Sequence, residues 1–369
     1  MLFFVLMLTF VIAAIAVVYK VLTGYVACGV LCKIAVLSIL TLSWFAPMWL
    51  RFLRRFGVSG MFYDVSYKIG YFMMGFVLIL SMLIIARDIL WYVVYLCSGK
   101  AHVLNPDNMH SVCVLNSVTI GLALLISAYG FFEAHQSIEI QNIKIEDERV
   151  KKETKFVVAS DMHINATTPI KHIQNMISII NAQNPDYILL VGDIADDLPQ
   201  KAIKKVNLLS ALKAKKVYIS LGNHEYYNRP YAWMDAFTKL NFEVLQNSGE
   251  ELDGTGIYVG GVPDSSAASV NYQRTFRGSD HLYRILLAHT PADFKNADKH
   301  YFDMQFSGHT HGGQIFPFQY ITKRANNGYL SGLYKEGKTN LFVMKGMGYW
   351  GPPMRVLATP DIVVFTLKP

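Results

Sequence analysis

The chain has 369 residues, of which 52% are hydrophobic and 17% are charged, and its formal net charge is +7 at pH 7. This length predicts two or three domains. Residues 1–133 contain eight Lys/Arg and four Asp/Glu, an excess of four positive charges. Residues 134–369 contain 26 Lys/Arg and 23 Asp/Glu, an excess of three. A charge spread this evenly forms no basic stripe, so we expect no nucleic-acid partner.

Four long apolar runs lie in the first third of the chain, at roughly residues 2–19, 25–50, 70–97 and 111–132. A helix needs about 20 apolar residues to cross the hydrocarbon core, and all four runs are near that length or above it. The first run lacks a charged start and a cleavage site, so we expect it to be retained. We therefore predict about four transmembrane spans in residues 1–133, with buried helices of a soluble domain as the alternative.

Loop charges predict the orientation of these spans. Arg51, Arg54, Arg55 and Lys68 lie between the second and third runs, which places that loop in the cytoplasm by the positive-inside rule. Three lysines on the other side make the asymmetry modest. With four spans, the C-terminal domain is then expected on the cytoplasmic side of a bacterial inner membrane.

Arg87 and Asp88 interrupt the third apolar run. A charged pair within a membrane marks a functional site by default. The run is long enough, however, to put this pair at the interface, beside Trp91 and Tyr92. We favour the interfacial interpretation, and the sequence leaves the role of the pair open.

The remaining two thirds of the chain are typical of a soluble α/β domain. Residues 134–154 are polar with regularly placed isoleucines, which predicts a linker that ends in an edge strand. From residue 155 onward, apolar strands, polar loops and helices alternate, a pattern whose functional residues follow the carboxyl ends of strands. We predict a domain over residues 155–369, with strands at 155–160, 187–191 and 217–221 and helices at 169–182 and 198–212.

After residue 240 the helical pattern weakens and short strands are separated by Gly, Pro and Asn. This change predicts a second sheet packed on the first, with helices outside. Its strand candidates, together with one that closes the chain, lie at 256–262, 283–288, 302–306, 341–344 and 362–367.

Candidate metal ligands follow several of these strands. Asp193 is the expected carboxylate bridge between two divalent ions. Nitrogen and oxygen ligands without thiolate favour Mn, Fe or Zn over a Ca or Mg site. One ion is expected to be bound by Asp161, His163 and His311, and the other by Asn223, His289 and His309.

This set predicts hydrolytic chemistry. Two ions about 3.5–4 Å apart hold both oxygens of an in-line displacement and lower the pKa of a bound water. His224 is the expected catalytic residue, because it follows Asn223 and is free to protonate the leaving oxygen or to stabilise phosphoryl oxygens. Asp196 is expected to orient the Asp193 loop, and Arg355 is a candidate contact for substrate phosphate.

Five blocks occur in the order D-x-H at 161, GD-x-x-D at 192, GNHE at 222, H-x-P at 289 and GHTHGGQ at 308. This order resembles the calcineurin-like metallophosphoesterase superfamily, and within it the membrane-associated YkuE-type branch. The resemblance covers about residues 150–369. It implies a four-layer α/β/β/α sandwich, a dinuclear metal centre and phosphoester hydrolysis.

The leading hypothesis is a membrane-anchored phosphoesterase that cleaves a phosphoester or pyrophosphate bond with metal-activated hydroxide. Anchoring favours a substrate in the bilayer, and the resemblance adds a lipid-linked UDP-acyl sugar as one candidate. The alternative is a non-catalytic binding module attached to a membrane transporter or scaffold. A nuclease is a third class, which the missing basic groove disfavours. The oligomeric state stays unknown.

Overall fold

The structure is a computed structural model that describes residues 2–24, 29–98, 109–136 and 138–369. The chain divides into two compact units. One unit is helical and comprises residues 1–132 with the short segment 351–354. The other comprises residues 133–350 and 355–369 and contains all strands of the described residues.

Among its described residues, the helical unit contains two or three candidate spans, where about four were predicted. Helices α4 and α5 are each long and apolar enough to cross a membrane, over Met61–Val94 and His110–His135. Helices α2 and α3 qualify only as a pair bent by 75°, so the described residues contain two candidate spans, or three if that pair is one span. The helices are α1 (Leu2–Thr23), α2 (Val30–Trp44), α3 (Ala46–Arg55), α4 (Met61–Ser98) and α5 (Met109–Gln136).

A local feature explains why the second apolar run is not one straight span. Pro47 lies in the first turn of α3, where a residue without an N–H fits, and the chain bends at Phe45 just before it. The second apolar run is therefore two helices and not one straight span.

The charged pair in α4 joins two helices. Arg87 Nε donates to Asp88 Oδ1 over 2.8 Å, and the same guanidinium donates to Asn116 Oδ1 of α5 over 2.9 Å. Asn116 in turn donates to the Val21 carbonyl oxygen of α1 over 3.0 Å. This network satisfies the polar groups among three apolar helices, which is a structural role for Arg87.

The second unit, which comprises residues 133–350 and 355–369, contains two six-stranded sheets. Their strand orders are β1-β12-β2-β3-β4-β5 and β10-β11-β9-β8-β7-β6. In the first sheet β2 to β5 run parallel, and β12 lies antiparallel to β2. The strands are β1 (Glu139–Glu146), β2 (Thr154–Ala159), β3 (Tyr187–Val191), β4 (Lys216–Ser220), β5 (Phe242–Val244), β6 (Ser248–Leu252), β7 (Ile257–Gly261), β8 (Tyr283–Leu287), β9 (Met304–Ser307), β10 (Gly332–Glu336), β11 (Thr339–Val343) and β12 (Asp361–Lys368).

Alternation along the strands builds the layers. In β2, Phe156 and Val158 face the second sheet and pack against residues such as Ile285, whereas Val157 faces the outer helices. The two sheets therefore form the predicted sandwich, with helices on the outer face of the first sheet and short helical turns on that of the second. The helices of this unit are α6 (Ile170–Ala182), α7 (Pro199–Val206), α8 (Asn223–Tyr227), α9 (Pro230–Lys239), α10 (Tyr272–Thr275) and α11 (Gln319–Ala325).

Candidate metal centre

The candidate ligands lie at one edge of the sandwich because each follows the carboxyl end of a strand. The parallel strands β2, β3 and β4 end at the same edge of the first sheet, and β8 and β9 end at the matching edge of the second. In the first sheet, β2 leads to Asp161 and His163, β3 to Asp193 and β4 to Asn223. In the second sheet, β8 leads to His289 and β9 to His309 and His311.

Sharp turns direct these side chains inward. Asp161, His163, Asp193, His309 and His311 all have a positive φ, between 46° and 72°. A non-glycine residue adopts this left-handed conformation at a cost, and such residues cluster at functional sites. Flanking glycines make room for the turns: a Cβ on Gly222 would lie 2.2 Å from Asp193 Oδ1.

The ligand atoms converge on two adjacent groups. In the first, His163 Nε2 lies 3.0 Å from His311 Nε2, which lies 3.6 Å from Asp161 Oδ1. In the second, His289 Nε2 lies 3.2 Å from Asp193 Oδ2, and His309 belongs to the same group. Asp193 Oδ2 also lies 3.8 Å from His163 Nε2, so this one carboxylate reaches both groups. Asn223 joins the second group, because its Oδ1 lies 2.9 Å from His309 Nδ1.

The chemistry of the donor set fits a cation. The Nδ1–H of His289 has the Val191 carbonyl oxygen as its acceptor at 2.9 Å, which leaves Nε2, the nitrogen nearest Asp193, as the ring atom available to a cation. This Nε2 is buried without a hydrogen-bond donor. A ring nitrogen and a carboxylate oxygen that face each other are stabilised by a positive charge between them, which a proton or a metal ion supplies. A carbonyl behind the ring is the usual arrangement of a metal-bound histidine.

Protonation states at this edge suit ligation as well. Burial opposes the ionisation of Asp193, but the charges of His289, His224 and His163 hold the pKa of its carboxyl well below the usual value. Burial lowers the pKa of His309 and, more strongly, that of His311. Burial opposes the protonation of His289, but the charge of Asp193 outweighs burial and raises the pKa of His289 well above its usual value. The bridging carboxylate is therefore ionised and His309 and His311 are neutral, the forms that bind metal, whereas His289 has to release a proton when it binds.

His224 lies beside the bridging carboxylate with an acid of its own. Its Nδ1 is 2.5 Å from Asp196 Oδ1, and its Nε2 is 3.9 Å from Asp193 Oδ2. Burial lowers the pKa of His224, but the hydrogen bond to Asp196 and the charges of Asp193 and Asp196 outweigh burial and raise the pKa to about 9. Asp196 Oδ2 also lies 3.5 Å from His163 Nδ1, so this carboxylate orients His224 and adds negative charge beside a second histidine.

Comparison with known proteins identifies the family. The profile of the calcineurin-like phosphoesterases matches residues 154–313. A metallophosphoesterase of Campylobacter jejuni is 34% identical over 62% of this chain and 63% of its own length. The metallophosphoesterase YkuE of Bacillus subtilis is 35% identical, over 58% of this chain and 79% of its own length. This chain belongs to the calcineurin-like phosphoesterases.

The resemblance predicted from the five sequence blocks is thus confirmed, and the family implies divalent metals and a phosphoester substrate. A relative from Danio rerio, named a transmembrane protein with a metallophosphoesterase domain, is 30% identical over 67% of this chain and 62% of its own length. This phosphoesterase therefore spans less than two thirds of the Campylobacter and Danio relatives.

Glu225 has a positioning role that the sequence did not reveal. Its Oε2 accepts the backbone N–H groups of Asp193, over 3.0 Å, and Gly222, over 2.8 Å, and its Oε1 accepts that of Ala195 over 2.8 Å. The side chain is fully buried. It ties the loop of the bridging carboxylate to the loop of Asn223. A glutamate at the third position of a helix that begins after Gly222 is the sequence signal for such a role.

Arg355 lies beneath the histidine loop and away from solvent. Its side chain is fully buried and donates to the carbonyl oxygens of Gly348, over 2.9 Å, Ala358, over 3.0 Å, and Lys345, over 2.8 Å. Its guanidinium also lies 3.1 Å from His311 Nδ1. In this arrangement Arg355 supports a metal-ligand loop and offers no surface to a substrate phosphate.

Proposed function

We propose that this phosphoesterase is a membrane-anchored hydrolase that cleaves a phosphoester or pyrophosphate bond with two divalent ions. One observation carries the proposal: a single carboxylate, Asp193, reaches two separate ligand groups. A shared carboxylate is what two ions about 3.5–4 Å apart require. Asp161, His163 and His311 would hold one ion, and Asn223, His289 and His309 the other.

The residues around the ions have distinct tasks. Bound divalent ions supply a Lewis acid for phosphoryl oxygens and acidify a coordinated water. Ser160 Oγ donates to Asp161 Oδ2 over 2.5 Å, and the His309 N–H donates to Asp161 Oδ1 over 3.0 Å, so Asp161 is held in place by its neighbours. Nitrogen and oxygen donors without sulfur favour Mn, Fe or Zn.

His224 is the proposed general acid. With Nδ1 held by Asp196, its Nε2 carries the proton that is given to the leaving oxygen. A pKa raised to about 9 keeps the imidazole protonated at neutral pH, as this role requires. Nearby dications would lower that pKa toward neutrality, which improves proton transfer.

The candidate spans support a place in the membrane. Arg51, Arg54, Arg55 and Lys68 precede the apolar part of α4, and the positive-inside rule puts them in the cytoplasm. Helices α4 and α5 then cross outward and back, which returns the metal-binding unit to the cytoplasm. This conclusion needs only the two spans α4 and α5. A bacterial inner membrane is the proposed location, and a fluorescent protein fused to the C-terminus should fold and emit there.

Anchoring also supports a substrate that lies in the bilayer. We propose a lipid-linked phosphate, for which a UDP-acyl sugar is one candidate. An enzyme held at the membrane meets such a substrate by lateral diffusion, whereas a soluble ester gains nothing from the anchor.

The decisive experiment is hydrolysis of a bis-aryl phosphodiester and an aryl phosphomonoester by the full chain in nanodiscs. Activity is measured with added Mn²⁺ and with chelator, beside elemental analysis and the Asp193→Asn variant. We expect chelator-sensitive turnover that falls by several orders of magnitude in the variant, because the carboxylate shared by both ions is lost.

Two other results carry information. Bound metal without turnover of either aryl ester would limit the enzyme to a selective substrate, and lipid-linked phosphates would be tested next. A chain that binds no metal would contradict the proposal and favour a non-catalytic binding module.

A further inference from the structure

Aromatic side chains flank His224 on the solvent side. The Tyr227 ring lies 5.7 Å from the His224 ring, and the Trp350 ring lies 6.3 Å from it in an edge-on arrangement. Both rings are open to solvent: Tyr227 is 71% exposed and Trp350 is 58% exposed. Exposed aromatic rings beside a reactive group are unpaired hydrophobic surface, which a substrate can cover.

The position of Trp350 is defined by its backbone. Gln314 Nε2 donates to the Trp350 carbonyl oxygen over 2.8 Å, and Gln314 Oε1 accepts the Trp350 N–H over 3.0 Å. Gln314 follows the ligands His309 and His311 in the same loop. The loop that supplies two metal ligands therefore also holds the exposed indole at the edge of the centre.

Further apolar surface belongs to the same hydrogen-bonded segments. The Val356 N–H donates to the Gln314 carbonyl oxygen over 2.8 Å, and the Phe316 N–H donates to that of Val356 over 3.1 Å. Phe316 is 45% exposed, and Leu357, next to Val356, is 66% exposed. A nucleobase can stack on aromatic rings alone, but an aliphatic group such as Leu357 beside the rings matches a flexible hydrocarbon chain better.

We propose that Tyr227 and Trp350 bind the apolar part of the substrate, a hydrocarbon chain attached to phosphate through the leaving oxygen. The inference rests on the proposed function, because His224 is the group expected to protonate that oxygen. Tyr227 and Trp350 then determine substrate class without contacting the phosphorus. They select a phosphate ester of a long-chain alcohol or lipid.

The test measures binding, so it does not depend on turnover. Ethyl phosphate, hexyl phosphate and adenosine monophosphate are titrated calorimetrically into the Mn²⁺-loaded full chain in nanodiscs. Four extra methylenes, partly covered by two rings, should make hexyl phosphate bind roughly tenfold more tightly than ethyl phosphate. Trp350→Ala and Tyr227→Ala should each reduce this preference severalfold, and Trp350→Phe should restore much of it.

Leu333→Ala is the matched control, because Leu333 is a 55% exposed apolar side chain on β10, a strand that carries neither of the two rings. This variant should leave the preference for hexyl phosphate unchanged. Hexyl phosphate also partitions into the nanodisc lipid, but this partition is the same in every variant and cancels when the variants are compared. An equal preference in wild type, Trp350→Ala and Tyr227→Ala would overturn the proposal. The proposal would also be overturned if adenosine monophosphate bound more tightly than hexyl phosphate and if this tighter binding were lost in Trp350→Ala and Tyr227→Ala.

Aryl diester turnover is recorded on the same samples. A hexyl preference that needs both rings, found in a chain without turnover, would support the apolar site and contradict the proposed hydrolysis. Turnover without a ring-dependent preference would support hydrolysis and contradict the apolar site.

Discussion

The two ends of the sandwich differ in the groups that balance the charge of their carboxylates. At the end away from the metal ligands, Arg149 lies 2.8 Å from Asp147 and 2.9 Å from Asp303, so a guanidinium of the chain itself balances both acids. At the other end, Asp161 and Asp193 are buried among imidazoles. Within the described residues no lysine or arginine pairs with either of them.

This difference separates a structural charge cluster from a functional one. A buried carboxylate is stable only when it is paired or binds metal. The Arg149 cluster contains a permanent cation, whereas Asp161 and Asp193 face only imidazoles, which bind a metal ion when they are neutral. Buried carboxylates without a lysine or arginine partner are therefore the physical sign of the metal centre. The following substitutions test this contrast.

The largest effect in these tests should come from His224→Ala. Loss of a general acid lowers turnover by about 10²–10⁴-fold, because proton transfer to the leaving oxygen is lost. The metal content should stay at the wild-type value, since His224 is not an expected ligand. Steady-state kinetics and elemental analysis check both statements. Loss of bound metal in this variant would make His224 a ligand and contradict its assigned role.

Glu225→Gln should loosen the metal centre without removing a ligand. The amide keeps the shape of the side chain but accepts fewer than the three N–H groups that the carboxylate accepts. Metal affinity is expected to fall by about 10–100-fold, the usual result of losing a group that orients ligands. Titration with Mn²⁺ measures this affinity. An unchanged affinity for Mn²⁺ would show that Glu225 does not position the metal ligands.

His172 offers a buried group that belongs to neither cluster. Its Nε2 has no hydrogen-bond partner, and burial, with the charge of His135, lowers its pKa to about 4. In the unfolded chain the pKa of His172 is near 6.5, so between pH 6.5 and pH 4 the unfolded chain binds a proton at His172 that the folded chain does not bind. The contribution of His172 to stability is therefore complete above about pH 6.5 and is lost as the pH falls toward 4. The loss due to His172 should be about 2 kcal/mol between pH 7 and pH 5.

Chemical unfolding of wild type and His172→Leu at both pH values measures this contribution, because other titrating groups cancel in the difference. His172→Leu should lose less stability than wild type on acidification. Equal losses would show that His172 is protonated in the folded chain.

The smallest effect is expected for Arg149→Met. Removal of the cation leaves Asp147 and Asp303 facing each other at a partly exposed site, which should cost about 1–2 kcal/mol of unfolding free energy. Metal binding should not change, because this cluster lies at the opposite end of the strands. Lys239→Met, which breaks a far more exposed pair with Asp235, is the control and should change stability little. Lost metal affinity in Arg149→Met would show that the two ends are coupled.

Several elements were predictable because their signals are local. Strands β2, β3 and β4 are nearly continuous apolar runs, as expected for parallel strands buried on both faces, and each leads directly into a ligand block. Strands β5, β6 and β10 were missed, since they are short and partly exposed and carry no clear period. The predicted helix over 198–212 ends at Val206 and continues as a 3₁₀ turn.

By itself, the sequence determined the family, the seven candidate ligands and the presence of long apolar helices, because glycine-flanked ligand blocks and apolar runs are properties of neighbouring residues. Tertiary structure alone decided that Asp193 reaches both ligand groups, that Glu225 joins two loops, that Arg355 is buried and that Gln314 holds Trp350. These contacts join residues far apart in the chain, as from Arg355 to His311, 44 positions away, and from Asp193 to His289, 96 positions away. Only the packing of two sheets brings such residues together, and no local pattern records that packing.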